Sequence, residues 1–143
     1  MFDIEDVWTP KFNITPRTKI ATYGSCFAQN IGKALAANGF HWLVVERPPF
    51  GLREESVRHF NYGIFSARTA NIYTTSLLRQ WASWASEETG PPDEYWEREG
   101  RIYDPMRPTV EPGGFRSREE MERSRSEAIG AFRTSIAEAN VLL

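Results

Sequence analysis

The first 50 residues alternate between short apolar runs and one helical repeat, and this order constrains the fold most. Lys19–Tyr23 is an apolar run bounded by turn residues, which predicts a first strand. From Cys26 the apolar spacing changes to three and four, which predicts a helix that ends near Gly39. Residues 40–45 predict a second buried strand, which stops at Pro48–Pro49. Two strands joined by a helix pair in parallel, so the chain is predicted to be an α/β protein.

The same patterns predict which side chains pack inward. The inner stripe expected for the first helix is Phe27, Ile31, Ala34, Leu35 and Asn38. Residues 1–17 show no regular period and predict an extended lead-in, held to the body by the aromatic residues Phe2, Trp8 and Phe12.

Beyond residue 50 the sequence predicts two helices separated by a long loop. Asn61–Gly63 is a predicted turn, and a helix is expected over residues 69–86. Its apolar positions are Leu77, Leu78, Trp81 and Trp84. Residues 87–115 are rich in proline and glycine, which predicts a loop with a hairpin around Tyr95 to Tyr103.

A capping box at Ser117 and Glu120 predicts the start of the last helix, which runs to about Ala139. The expected inner stripe is Met121, Ala128, Phe132 and Ile136. The charges of the outer face balance and predict a solvated surface: Arg116, Arg118, Arg123, Arg125 and Arg133 against Glu119, Glu120, Glu122, Glu127 and Glu138. Val141–Leu143 predicts the start of a third buried strand, so residues 1–143 are expected to be the N-terminal part of a larger domain.

Composition excludes several classes of function. The net charge is −2, without the basic excess that a nucleic-acid-binding protein usually carries. The single cysteine precludes an intrachain disulfide and fits a reducing compartment. No run approaches the ~18 apolar residues of a membrane helix, so a cytoplasmic location and no membrane partner are expected. No metal-ligand spacing and no phosphate-binding loop is present, so no cofactor is expected.

Gly24, Ser25 and Cys26 lie between the first strand and the first helix, and they are the candidate site. Glycine permits a sharp turn, and the helix N-terminus offers unpaired N–H groups with partial positive charge. Such groups stabilise an oxyanion and favour thiolate formation in cysteines. The alternative from the residues alone is structural, with Cys26 a small buried hydrophobic residue and Ser25 a helix cap.

Residues 24–28, Gly-Ser-Cys-Phe-Ala, resemble the signature of the GSCFA family. Further similar segments follow at residues 29–32, 39–40, 49–51, 71–74 and 114–120. The family resembles a branch of the SGNH (GDSL-like) hydrolases. That resemblance implies a three-layer α/β/α, flavodoxin-like fold with a parallel sheet, of which residues 1–143 would form the N-terminal portion.

The resemblance also implies roles for particular residues. Cys26 falls on the nucleophile position, with Ser25 as the alternative. Oxyanion or substrate contacts are expected from Gly24 and Gly51, or from Gly63 beside Asn61. The superfamily's Asp-x-x-His base is expected in a C-terminal part of the domain beyond these residues. His41 is expected to be a structural residue of the second strand. Residues 51–70 are predicted to be irregular, and His59 within them could approach the site.

The implied activity is that of an esterase or acyltransferase acting on O-acyl groups, including those of saccharides. Without its base this part of the domain is expected to show no turnover. The implied partners are a small-molecule or saccharide acyl substrate and the remainder of the same domain. The alternative is a non-catalytic carbohydrate- or acyl-binding module.

Overall fold

A computed structural model describes residues 9–143 of the chain. Phe2 and Trp8, two of the residues predicted to hold the lead-in to the body, lie outside the described residues. The third, Phe12, is 61% exposed, so its predicted packing is wrong.

The helices and strands follow one another along the chain as β1 (Ile20–Ala21), α1 (Cys26–Ala37), α2 (Glu54–His59), α3 (Thr75–Ala85), β2 (Trp96–Arg98), β3 (Arg101–Tyr103), α4 (Arg118–Glu138) and β4 (Val141–Leu142).

A small parallel sheet positions the first strand, which confirms the α/β class. β1 pairs in parallel with β4, with Ile20 opposite Val141. On its other side Ile20 forms a single parallel bridge with Trp42. The predicted strand at residues 40–45 is therefore wrong beyond that bridge, because Val45 N–H turns away and donates to the carbonyl of Ser66 at 2.8 Å. The strand predicted at the end of the chain is present as β4, although it is not fully buried.

α1 packs through small side chains, and the predicted inner stripe is wrong. Its buried residues are Ala28 and Gly32, whereas Phe27 is 71% exposed. A Cβ at Gly32 would lie 2.5 Å from Cε2 of Trp42, so only glycine permits this approach. Close contact with the indole ring therefore selects the helix face that packs inward.

α3 and α4 pack against each other around aromatic rings. Trp81 and Phe132 are buried with ring centroids 5.7 Å apart, and Tyr23 lies 4.7 Å from Phe132. α3 begins at Thr75 rather than at residue 69, because Ile72 N–H donates to the carbonyl of Gly24 at 2.8 Å. That bond holds the preceding segment beside β1 instead of in a helix.

α4 differs from its prediction at two positions. Ile136 is partly exposed, whereas Arg125, which was predicted on the solvated face, is buried. Arg125 Nη2 donates to Asp104 at 2.8 Å, and Arg107 Nε donates to the other carboxylate oxygen at the same distance. We call these three residues the Asp104 cluster. The hairpin predicted in the loop is confirmed as β2 and β3, and the cluster joins the segment after it to α4.

A buried hydroxyl pair links the residue before Gly24 to α4. Ser135 Oγ donates to the carbonyl of Phe132 at 2.8 Å, so the Tyr23 hydroxyl donates to Ser135 Oγ at 2.6 Å. Burial raises the pKa of Tyr23 above its ordinary value, so the hydroxyl keeps its proton.

Tyr23→Phe is expected to lower the free energy of unfolding by about 1–2 kcal/mol, because Ser135 loses its buried donor. Tyr95→Phe is the matched control, since Tyr95 is exposed and its hydroxyl has no hydrogen-bond partner within residues 9–143. Urea denaturation of both variants measures the difference. Equal midpoints for the two variants would contradict the assigned hydrogen bond.

Candidate functional site

The turn between β1 and α1 requires glycine. Gly24 has a φ of +155°, and a Cβ there would lie 3.0 Å from the Cβ of Ala28. Tyr23 N–H donates to the carbonyl of Leu143 at 2.8 Å, so the sheet hydrogen bonding continues up to this turn. The chain thus passes in one step from the carboxyl end of a parallel strand to a helix N-terminus.

Ser25 lies just before α1 and Cys26 begins it, and the two side chains have different environments. Ser25 is the N-cap, and its Oγ accepts a hydrogen bond from Phe27 N–H at 3.3 Å. Cys26 is the first residue of α1, and its side chain is an exposed free thiol. The prediction of Ser25 as a cap is confirmed, whereas the alternative of a buried Cys26 is wrong.

Helix α3 begins beside the turn that leads into α1. The hydrogen bond from Ile72 to Gly24 places the segment before α3 along the turn, and Thr74 caps α3 by accepting from Leu77 N–H at 3.2 Å. Neither helix carries an acidic residue in its first turn. The partial positive charges of both helix N-termini are therefore not neutralised by carboxylates from those turns.

A polar cavity of about 120 Å³ lies next to the first turn of α1. Gln29 lines it one turn after Cys26, and its Nε2 donates to Asn71 Oδ1 at 2.8 Å. Asn71 Nδ2 in turn donates to the hydroxyl of Tyr73 at 2.8 Å, which ties that exposed ring to the helix. The remaining lining residues are Asn61, Ile64, Phe65, Arg68, Ala70 and Thr109.

The positive charge of Arg68, which lines this cavity, is compensated by a buried carboxylate. Arg68 Nη1 lies 3.3 Å from Glu46 Oε1, and both side chains are largely buried. Arg68 also donates to the carbonyls of Phe60 and Val110, each at 2.9 Å. Its guanidinium is thus held in place, and the cavity gains no net positive charge from it.

The structure brings together only some of the residues predicted for the site. Gly24, Ser25 and Cys26 form one turn, and Asn61 lines the adjacent cavity. The glycines at residues 51 and 63 occupy turns with positive φ, and neither lines the cavity.

Neither histidine is placed as a buried structural residue. His41 and His59 are both exposed, and neither side chain forms a hydrogen bond within residues 9–143. The expectation that His41 is a satisfied structural residue is wrong, because the second strand is reduced to one bridge at Trp42. The prediction of an irregular segment around His59 is also wrong, because His59 is the last residue of α2.

Sequence reasoning missed Gln29, Arg68 and Asn71 as members of the site. Gln29 and Asn71 both belong to segments already noted for their resemblance, which was a usable signal without a role. Arg68 carried no local signal, because its position depends on Glu46 and on the carbonyl of Val110, which lie far away in the sequence.

Within residues 9–143 no group of three His, Cys, Asp or Glu side chains is arranged to hold a metal ion. In the same range, every helix is too short or too polar to cross a membrane.

The fold and the site define an α/β protein that presents a cysteine at the start of a helix, directly after a parallel strand. The family model for the GSCFA family matches residues 19–143, and the chain belongs to that family. No curated protein and no solved structure matches the chain.

Proposed function

We propose that this chain carries the nucleophile of an SGNH-type acyl-transfer site, in an esterase or acyltransferase that acts on O-acyl groups, including those of saccharides. The observation that carries the proposal is the exposed Cys26 thiol at the start of α1, next to a cavity that suits a polar substrate. The three-layer α/β/α arrangement of that superfamily and a cytoplasmic location belong to the same proposal. The parallel pairing of β1 with β4 supports the arrangement.

Cys26 is favoured as the nucleophile because Ser25 is already engaged as the helix cap. In the proposed reaction Cys26 Sγ transfers its proton to a base and attacks the acyl carbonyl carbon. The C–S bond forms, the carbonyl oxygen becomes an oxyanion, and the ester C–O bond then breaks. The leaving alkoxide takes the proton from the base, and water or an acceptor alcohol later removes the acyl group from sulfur.

The free N–H groups of the first turn of α1 are the proposed donors to the oxyanion. Asn61 is better supported as a substrate contact than the two predicted turn glycines, because it lines the cavity. The base is proposed to be an Asp/His pair in the part of the family domain beyond residue 143.

The test is acylation by p-nitrophenyl acetate, followed by intact mass spectrometry. One acetyl group is expected on Cys26, at least about tenfold faster than on an unstructured cysteine peptide at the same pH, since each well-placed oxyanion donor lowers the barrier. Cys26→Ala should abolish the adduct, while Ser25→Ala should retain it. With the chain alone, a single acylation without turnover is expected.

Two results would refute the proposal: an acetyl group on another residue, or a rate equal to that of the peptide. Steady release of p-nitrophenol by residues 1–143 would instead contradict the assignment of the base to another part of the domain.

A non-catalytic carbohydrate- or acyl-binding module is the second candidate. The observation that favours it concerns the base. In the part of the chain described, no histidine side chain forms a hydrogen bond, so none is paired with Cys26. The two candidates differ in one result, because the binding module would take up ligand without acylation of Cys26.

A further inference from the structure

The wall of the polar cavity beside α1 is formed partly by residues that are held in place. Arg68, which forms part of its wall, is only 9% exposed and is fixed by Glu46. Asn61 and Ala70 also line it, and both adopt positive φ, at 57° and 60°. Non-glycine residues rarely adopt this conformation, and it persists where the surrounding structure imposes it.

The cavity presents acceptors that an uncharged hydroxyl group would satisfy. Asn61 Nδ2 donates to the carbonyl oxygen and the Oγ1 of Thr109, at 2.9 and 3.0 Å. A carbonyl only accepts, so this contact fixes the amide orientation and leaves Asn61 Oδ1 as an acceptor without a partner among residues 9–143. Gln29 Nε2 donates to Asn71 Oδ1 and keeps a second hydrogen to donate, and Gln29 Oε1 has no partner among residues 9–143.

This combination discriminates against anions. A carboxylate or phosphate only accepts hydrogen bonds when ionised, so it would face the two amide oxygens without a compensating cation, because Glu46 already neutralises Arg68. A hydroxyl both donates and accepts, so it matches the donors and acceptors of the Gln29 and Asn61 amides.

Size and position relate the cavity to the nucleophile. Cys26 and Gln29 are three residues apart on α1, which brings their Cβ atoms to about 5–6 Å from each other. A cavity of about 120 Å³ has room for a short hydroxylated fragment, since an engineered cavity of about 150 Å³ holds a benzene molecule.

We propose that this cavity is a subsite for a neutral, hydroxyl-bearing fragment of the substrate, with Gln29 and Asn61 as its specificity residues. The inference rests on the proposed function, because it assigns the hydroxylated alcohol part of the ester to the cavity and the acyl carbonyl to Cys26. It identifies the preferred substrates as esters of uncharged polyols or saccharides rather than of anionic alcohols.

The test is a titration of the intact chain with glycerol, followed through the side-chain amide NMR signals of Gln29, Asn61 and Asn71. Saturable shifts are expected with glycerol and none with sodium acetate at the same ionic strength. Gln29→Ala and Asn61→Gly should each weaken glycerol binding about fivefold or more, as expected for the loss of one hydrogen bond. Glycine is used at position 61 because it tolerates the positive φ.

Asn30→Ala is the matched control, since Asn30 is the exposed neighbour of Gln29 on α1 and forms no side-chain hydrogen bond within the described residues. The proposal is overturned if glycerol gives no saturable shift, if acetate binds as tightly, or if both test variants bind like Asn30→Ala. Glycerol binding must persist in Cys26→Ala. Binding without acylation of the wild-type chain would remove the proposed catalysis and leave the subsite.

Discussion

Asp104→Ala is expected to lower the free energy of unfolding by about 3–5 kcal/mol, because it leaves two buried guanidinium groups without their anion. The side chains of Asp104 and Arg107 are fully buried, and that of Arg125 is nearly so. Asp104 Oδ1 also accepts from Met106 N–H at 3.0 Å, so the turn after the hairpin loses a bond as well. Urea denaturation at neutral pH measures the loss.

Asp93→Ala is the matched control for this prediction. Asp93 also pairs with an arginine, Arg118, but its side chain is 78% exposed. Exposed ion pairs contribute about 0–1 kcal/mol, so the control should stay close to the wild type. If both variants lost the same stability, burial of the Asp104 cluster would not be the cause.

The pH dependence gives an independent readout of the same cluster. Burial by itself raises the pKa of Asp104, but hydrogen bonds and charges from Arg125 and Arg107 outweigh it, so the pKa lies below its ordinary value of 3.8. A carboxylate with a lowered pKa stabilises the folded state above its unfolded-state pKa, and the contribution disappears as the pH falls through the folded-state pKa. The difference between wild type and Asp104→Ala should therefore be full near neutrality and shrink below about pH 3.8.

Gly32→Ala is expected to destabilise the chain by about 2 kcal/mol, although alanine is normally the better helix former. The new Cβ would lie 2.5–2.9 Å from three atoms of the Trp42 indole. That ring has little freedom to move, because its Nε1 donates to Thr22 Oγ1 at 2.9 Å. The resulting shift of α1 should also slow acylation of Cys26.

Gly130→Ala should have the opposite sign and provides the control. Gly130 lies inside α4, and a Cβ there would meet no atom within 4 Å. The substitution is expected to stabilise the chain by about 1 kcal/mol through helix propensity alone. Thermal denaturation of both variants should thus show Tm changes in opposite directions, and a common direction would contradict the close contact between α1 and Trp42.

Helix α4 shows how much of the structure the local sequence pattern predicts. Ser117 caps α4 as its capping box predicts, with Oγ accepting from Glu120 N–H at 3.2 Å. The burial of Arg125 on the same helix was not predictable, because its partner Asp104 lies in a loop with no regular period. A helical repeat shows which face is charged, but not which charged residue meets a carboxylate from another segment.

The sequence by itself determined the turn from β1 into α1, with Gly24 at the bend, Ser25 as the cap and Cys26 as the first helical residue. These features depend on backbone conformation and on hydrogen bonds between near neighbours, which short stretches of sequence specify. Only the tertiary structure decided that Cys26 is exposed and that Gln29, Asn61 and Asn71 line one cavity. The exposure of Cys26 and the lining of the cavity depend on which segments pack together. The spacing of residues along the chain does not specify how side chains from distant segments are oriented relative to one another.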